Sequence, residues 1–232
     1  MERIDRILSN LGYSTRKEAR ELLRAGLVTV GGEEVSDPGM KARAVDMRFD
    51  GEPLDHFDGI LVAFNKPVGV VCSKSSSEGP TVYEYLPEQW LRRNPEIATV
   101  GRLDKDTAGL VLVTDQGVLA HRLTSPKGHV PKVYRVHVDR DLAPELVGMF
   151  AAGTLMLEGE EHPCAPAELT IVGPKEAGLV LYEGRNRQIR RMFASQGYMV
   201  TSLRREKIGA LELGDLAEGE WRDVPLGYFD TP

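Results

Sequence analysis

The sequence predicts an α+β protein in two parts: a small N-terminal module of two helices and a hairpin, and a larger domain on a mixed, largely antiparallel sheet. Three observations predict it. Residues 3–24 carry two short helical periodicities, and a two-glycine turn follows them. From residue 60 onward, apolar and alternating runs recur, with few long helices and mostly short turns between them. Between the parts, Gly51 to Gly59, with Pro53, Asp55 and Asp58, has the composition of a linker. The expected boundaries are therefore 1–50, a 51–59 linker and 60–232.

In the first part, Ile4, Ile7, Leu8 and Leu11 repeat at helical spacing, and Gly12 stops the helix. Thr15-Arg16-Lys17-Glu18 has the form of a capping box, so a second helix is expected to start there and to end at Gly26. Leu27 to Val30, Gly31-Gly32 and Glu33 to Val35 read as a hairpin with a two-residue loop. Arg16, Lys17 and Arg20 decorate the second helix; neighbouring Glu18 and Glu21 also allow an ordinary solvated face.

The second part opens with a buried strand, Ile60 to Phe64, a turn at Asn65-Lys66-Pro67 and a returning strand, Val68 to Cys72. Thr81 to Leu86 suits a short helix, and Trp90 anchors the loop from Pro87 to Pro95. The polar loop Gly101 to Gly109 leads into Leu110 to Thr114, an uninterrupted β-branched and apolar strand, so Arg102 and Asp104 are held at the mouth of a rigid element. A helix over Val118 to Leu123 closes at Ser125-Pro126. Lys132 to Val138 alternates strictly and puts Tyr134, Val136 and Val138 on one face. Leu142 to Gly153 suits a helix; Cys164 to Val172 and Leu179 to Tyr182 suit strands. Arg185 to Ser195 is a helix with Ile189, Met192 and Phe193 on one side and Arg187, Arg190 and Arg191 on another. Thr201 to Leu203, Leu211 to Leu213 and Trp221 to Val224 complete the sheet.

At 232 residues, with 41% hydrophobic and 28% charged residues, the chain has enough material for a sizeable core. No apolar run approaches a bilayer span and the N-terminus has no apolar leader, so a cytoplasmic protein is expected. Cys72 and Cys164 stand apart, suggesting reduced thiols, and the five histidines are scattered; no metal is expected. Net charge is −6, yet Glu183 to Lys207 holds seven Lys/Arg against two Glu. That local excess suits an anionic partner better than the total suggests. Walker, dinucleotide-binding and His-Glu-x-x-His patterns are absent from the sequence.

The chemistry-bearing set is small: a carboxylate loop, a basic helix and an aromatic on a strand. Asp104 and Asp106 could form a hydrolytic acid pair, or Asp104 alone could serve as a nucleophile or base kept ionised by a guanidinium. Arginines without interspersed glutamates suit a clamp for phosphate or carboxylate. Binding without catalysis needs only the small module and the basic helix.

Four motifs in order then carry a resemblance: Asn65-Lys66-Pro67, Gly101-Arg102-Leu103-Asp104, Lys132-Val133-Tyr134, and Glu183-Gly184-Arg185 continuing to Gln188-Ile189-Arg190-Arg191-Met192. Together they resemble the ribosomal RNA pseudouridine synthases of the RsuA family. The helix–capping box–hairpin order before them is similar to the alpha-L RNA-binding module. Ser125 to His129, and Val71 to Ser73 with Pro80 to Val82, look closest to the small-subunit (16S) branch, although that branch often carries Lys where Arg190 stands. The resemblance implies uridine-to-pseudouridine isomerisation without cofactor or metal, on ribosomal RNA or an assembling subunit, by a monomer. It implies Asp104 as nucleophile, Tyr134 against the uracil and Arg190 paired with Asp104. It also implies RNA contacts from Arg102, Arg187, Arg191, Arg16, Lys17 and Arg20, with Lys66 near the site. A large-subunit (23S) target and a non-catalytic assembly factor are the alternatives.

Overall fold

The structure, a computed structural model, describes residues 1–125, 128 and 130–230; Pro126, Lys127 and His129, within the segment 125–129 singled out above, lie outside the described residues. The N-terminal part runs β1 (Glu2–Arg3), α1 (Ile4–Asn10), α2 (Ala19–Arg24), β2 (Val28–Val30), β3 (Glu33–Glu34), β4 (Lys41–Ala42), β5 (Met47–Phe49) and β6 (Glu52–Pro53). Strands order β3-β2-β5-β6, and β1 pairs with β4. The capping box forms: Thr15 N–H donates to Glu18 at 2.9 Å and Glu18 N–H donates to Thr15 Oγ1 at 3.3 Å. It makes a lead-in turn, however, and the α-helix proper begins at Ala19 rather than at Thr15. Val30 faces Glu33 across Gly31 and Gly32, both at positive φ, as a two-residue hairpin loop requires. Ile4, Leu8, Leu23, Val28 and Met47 form a core of their own.

The second part contains β7 (Leu61–Lys66), β8 (Ala98–Thr99), β9 (Ala108–Thr114), α3 (Gly117–Thr124), β10 (Lys132–Val138), α4 (Glu145–Ala151), β11 (Glu168–Gly173), β12 (Glu176–Leu181), α5 (Gln188–Ser195), β13 (Val200–Ile208), β14 (Leu211–Glu212) and β15 (Trp221–Asp223). Its sheet is ordered β11-β12-β10-β13-β9-β7-β15. β9 and β13 run parallel and the other described pairs antiparallel, so the expected mixed, largely antiparallel sheet is present. β7 and β9 are covered on both faces. Val62, Phe64, Val111 and Val113 enter one core with residues of α4 and α5; Leu61, Ala63, Leu110 and Leu112 enter another with α3. Double burial explains why both strands read as unbroken apolar runs.

Several expected elements shift. Asn65 and Lys66 belong to β7, not to a turn; Lys66 is buried and its Nζ donates to Pro67 O at 2.9 Å and Val70 O at 2.7 Å. Val68 to Cys72 forms no strand, only a bridge from Val71 to Thr81, and Val68 points outward. α4 and β11 are shorter than expected at their starts, whereas β13 runs through Ile208 because β9 and β10 pair with both its edges.

The stretch 51–59 is structured. β6 pairs with β5, Leu54 joins the N-terminal core, and Asp55 accepts from Trp90 Nε1. Buried Arg93 pairs with Asp115 at 3.0 Å and donates to the carbonyls of Asp55 and His56. Asn94 N–H donates to Asn10 O at 2.9 Å, and an added Cβ at Gly12 would sit 2.2 Å from Gln89 O. These contacts join the two parts directly. His56 bridges Asp55 and Asp223; the hydrogen bond with Asp55, then that with Asp223, outweigh burial and raise the imidazole to about 9.

Two predictions follow from this packing. Gly109 sits at φ +104 with its Cβ position 2.3 Å from Arg205 O, so Gly109→Ala should cost about 3 kcal/mol in thermal unfolding, from left-handed strain plus a backbone clash. Gly31→Ala, with nothing within 4 Å, should cost about 1 kcal/mol; equal costs would contradict the close approach of β13 to β9. For His56 the folded value lies above the ordinary 6.5, so its stabilisation is complete below that pH and is lost as pH rises through about 9. His56→Gln should therefore flatten the fall in Tm between those values, and an unchanged profile would remove the clasp.

Candidate active site

The loop before β9 projects Arg102, Asp104 and Asp106 from a strand fixed on both faces. Gly69 N–H donates to Lys105 O at 2.8 Å and Thr107 N–H to Asp104 O at 3.0 Å, so the loop is held from beneath and across itself. Facing it is the N-terminus of α5, where Arg187 takes a left-handed conformation, φ 47. Ile189, Met192 and Phe193 anchor α5 in the core, which turns Arg187 and Arg190 toward the loop.

The arginine pairing differs from expectation. Arg190 Nε lies 3.2 Å from Asp106 Oδ2, and Arg190 also donates to Asp106 O at 2.8 Å and Val200 O at 3.0 Å. Arg187 donates to Asp106 at 2.9 Å and stands 4.0 Å from Asp104. Among the described residues, then, Arg187 is the cation within 4 Å of Asp104, and Arg190 is engaged by Asp106. The reason is reach: Arg190 enters one helical turn deeper, where the backbone carbonyls of β13 and the loop capture its guanidinium. Burial pulls the Asp106 carboxyl upward, but the hydrogen bond from Arg187 and the charges of Arg190 and Arg187 outweigh it and hold it below the usual aspartate value.

A cleft of about 440 Å³ lies between these elements. It is bordered by Arg102, Asp104, Arg187 and Arg190, by Tyr134 on β10, and by Lys132 and Arg205. Tyr134 is 9% exposed and belongs to the core as well as to the cleft wall. Arg102 is exposed at the mouth. Two of the expected site residues, Lys66 and Arg191, do not border the cleft. Lys66 is 0% exposed and spent on backbone carbonyls, with burial driving its pKa down against the pull of Asp106 and Asp104. Arg191 pairs with Glu160 at 2.7 Å and donates to Glu158 O, tying α5 to the 153–165 segment. Its neutralising acid lies some thirty positions earlier, so local sequence could not show it. Arg16, Lys17 and Arg20 are exposed on the N-terminal part. Sequence reasoning missed Lys132 and Arg205, though the alternation of β10 already placed Lys132 on the Tyr134 face.

The model of the RNA pseudouridylate synthase family matches residues 60–195, and that of the S4 domain matches residues 2–47. The chain belongs to the RNA pseudouridine synthase family. It is 42% identical over 226 residues to a Yersinia pestis protein named ribosomal small subunit pseudouridine synthase A, covering 96% of this chain and 94% of that one. The Escherichia coli K12 protein of the same name is 39% identical, with 96% of each chain covered. A crystal structure of a pseudouridylate synthase superposes with a TM-score of 0.67 at 36% identity, covering 97% of this chain and 96% of that one. The chain is thus an isomerase with an N-terminal RNA-binding S4 domain, and the cleft is the concave site at which that activity is to be sought. Among the described residues no helix is long and apolar enough to cross a membrane.

Asp106→Asn tests the pairing that shapes this synthase site. Because the pair is nearly half exposed, the variant should lose no more than about 1 kcal/mol at pH 7 by urea unfolding. A depressed carboxylate stabilises above its ordinary value of 3.8 and ceases to do so as pH falls through its lower folded value. The difference between wild type and variant should therefore shrink as pH is taken from 5 toward 2.5; a constant difference would show that Asp106 is not held ionised by the arginines.

Proposed function

We propose that this enzyme isomerises a specific uridine of small-subunit (16S) ribosomal RNA to pseudouridine in the cytoplasm, as a monomer, with Asp104 as the nucleophile on a flipped-out uridine. The observation that carries this reading is that Asp104 borders the same cleft as Tyr134 while, among the described residues, no cation pairs it more closely than Arg187 at 4.0 Å. A carboxylate beside a guanidinium but not consumed by it is available as a nucleophile. Tyr134 offers a buried aromatic face for the base. Arg190 acts by fixing the loop through Asp106 rather than by touching Asp104. Flipping a base costs a few kcal/mol, which stacking and backbone contacts must offset. Arg102 and Arg187 at the mouth supply such contacts, and Arg16, Lys17 and Arg20 supply phosphate contacts from residues 1–50, delivering RNA to a catalytic unit of residues 60–232. The choice of 16S RNA rests on the names of the two relatives given above.

The test treats 16S and 23S transcripts with wild type and with Asp104→Asn, maps pseudouridine and measures RNA affinity. Wild type should modify a site in 16S RNA. The variant should make none, with affinity unchanged within about threefold, because one uncharged isostere removes the reacting oxygen and leaves the phosphate contacts intact. Product from the Asn variant would remove Asp104 from the chemistry, and modification confined to 23S RNA would overturn the substrate.

A further inference from the structure

Five buried side-chain polar atoms have no hydrogen-bond partner among the described residues, and three of them belong to residues that border the cleft: Thr107 Oγ1, Arg190 Nε and Arg205 Nη2. Buried polar groups in folded proteins are nearly always satisfied, so such a concentration points to a ligand that completes them. Arg190 Nε already has Asp106 within ion-pair distance. Arg205 has no such compensation. It is 4% exposed, its Nε donates to Leu110 O at 2.7 Å, and its Nη2 is left buried without a partner in a residue that borders the cleft.

The position is fixed by the sheet. Arg205 is the cross-strand partner of Tyr134 on one side and of Gly109 on the other. Direct cross-strand partners share a face, so the Arg205 and Tyr134 side chains leave the sheet on the same side. The bare Gly109 lets the β13 backbone approach so closely that the arginine cannot retreat. Lys132, two residues before Tyr134, borders the same wall; burial and the adjacent Arg205 charge both lower its pKa. The two cations on this wall, Lys132 and Arg205, are donors only.

Resting on the reading of the cleft as a uridine site, we propose that Arg205 is a further specificity residue, donating from Nη2 to O4 of the extruded uracil. A guanidinium has donors only. Uracil offers acceptors at both O2 and O4; cytosine replaces O4 with an amino donor, which would leave a donor facing a donor. A backbone phosphate fits less well, because phosphates stay at the mouth, where Arg102 and Arg187 are exposed, whereas Arg205 is buried. The guanidinium is already held by Leu110 O, so little side-chain freedom is lost when it bonds the base.

The experiment measures kcat/KM of the full chain on a small-subunit RNA transcript made with uridine, 2-thiouridine or 4-thiouridine, for wild type, Arg205→Met and Arg205→Lys. Sulfur is the weaker acceptor. Wild type should lose about tenfold on the 4-thiouridine transcript, and Arg205→Met should lose about tenfold on the uridine transcript with no further loss on the 4-thiouridine one, whereas a loss confined to the 2-thiouridine transcript overturns the proposal. Effects of thio-substitution on RNA folding cancel in the comparison. A merely structural arginine, stapling β13 to β9, predicts the opposite: the variant is slower but keeps the wild-type ratio between uridine and thio transcripts. That result, or a wild type equally fast on all three transcripts, overturns the proposal. Should Arg205→Met not fold, Arg205→Lys, which keeps a shorter cationic donor, must show a reduced thio ratio, and an undiminished one overturns the proposal equally. A wild type that forms no pseudouridine on the ordinary transcript defeats the functional reading itself, an outcome separable from the others.

Discussion

The site depends on one carboxylate that does not border the chemistry. Asp106 binds Arg187 and Arg190, which lie 81 and 84 residues further along the chain, and so joins the loop before β9 to the start of α5. Exposed ion pairs contribute at most about 1 kcal/mol each to stability, so the value of this one is geometric. It engages both guanidinium groups, with Arg187 left 4.0 Å from Asp104. The neighbouring aspartate is left near a positive charge without being neutralised by contact. Two acids separated by one residue thus take different parts, because one faces α5 squarely and the other faces the cleft.

This arrangement holds its shape because its supports cannot slide. β9 is buried on both faces, so its register is set by two cores at once. Gly109 admits β13 at a distance that no Cβ would tolerate, and Arg205 then fastens to β9 through Leu110 O. Beneath the loop, Lys66 pins the turn after β7 through two carbonyls, and that turn is bonded to Lys105. Its buried charge serves the loop's foundation rather than the RNA surface.

The segment that joins the S4 domain to the synthase part is fixed by a polar seam. Arg93, Asp115, Asp55, His56 and Asp223 form a connected set, with Trp90 packed against His56 and Trp221. A buried charge is costly unless it is paired and hydrogen-bonded, and here the guanidinium of Arg93 meets a carboxylate and two carbonyls. Such a seam specifies orientation more sharply than a greasy patch, because a shifted partner leaves charges unmatched.

Local pattern alone determined much of this protein. The doubly buried runs of β7 and β9, the alternation of β10, the Gly31-Gly32 hairpin and the amphipathic α5 were all legible, since each follows from a period of two or 3.6 residues or from a turn that demands glycine. The motifs likewise named Asp104 and Tyr134, which share the cleft. Where pattern ran out, the deciding partner was distant in the chain. Arg190 and Asp106, Arg191 and Glu160, Lys66 and the carbonyl of Val70, and Arg205 beside Tyr134 are relations of packing, not of spacing. A helix face tells which arginines project together; only the folded sheet tells which acid each one meets, because charges pair across space at a few ångströms whatever their separation along the chain.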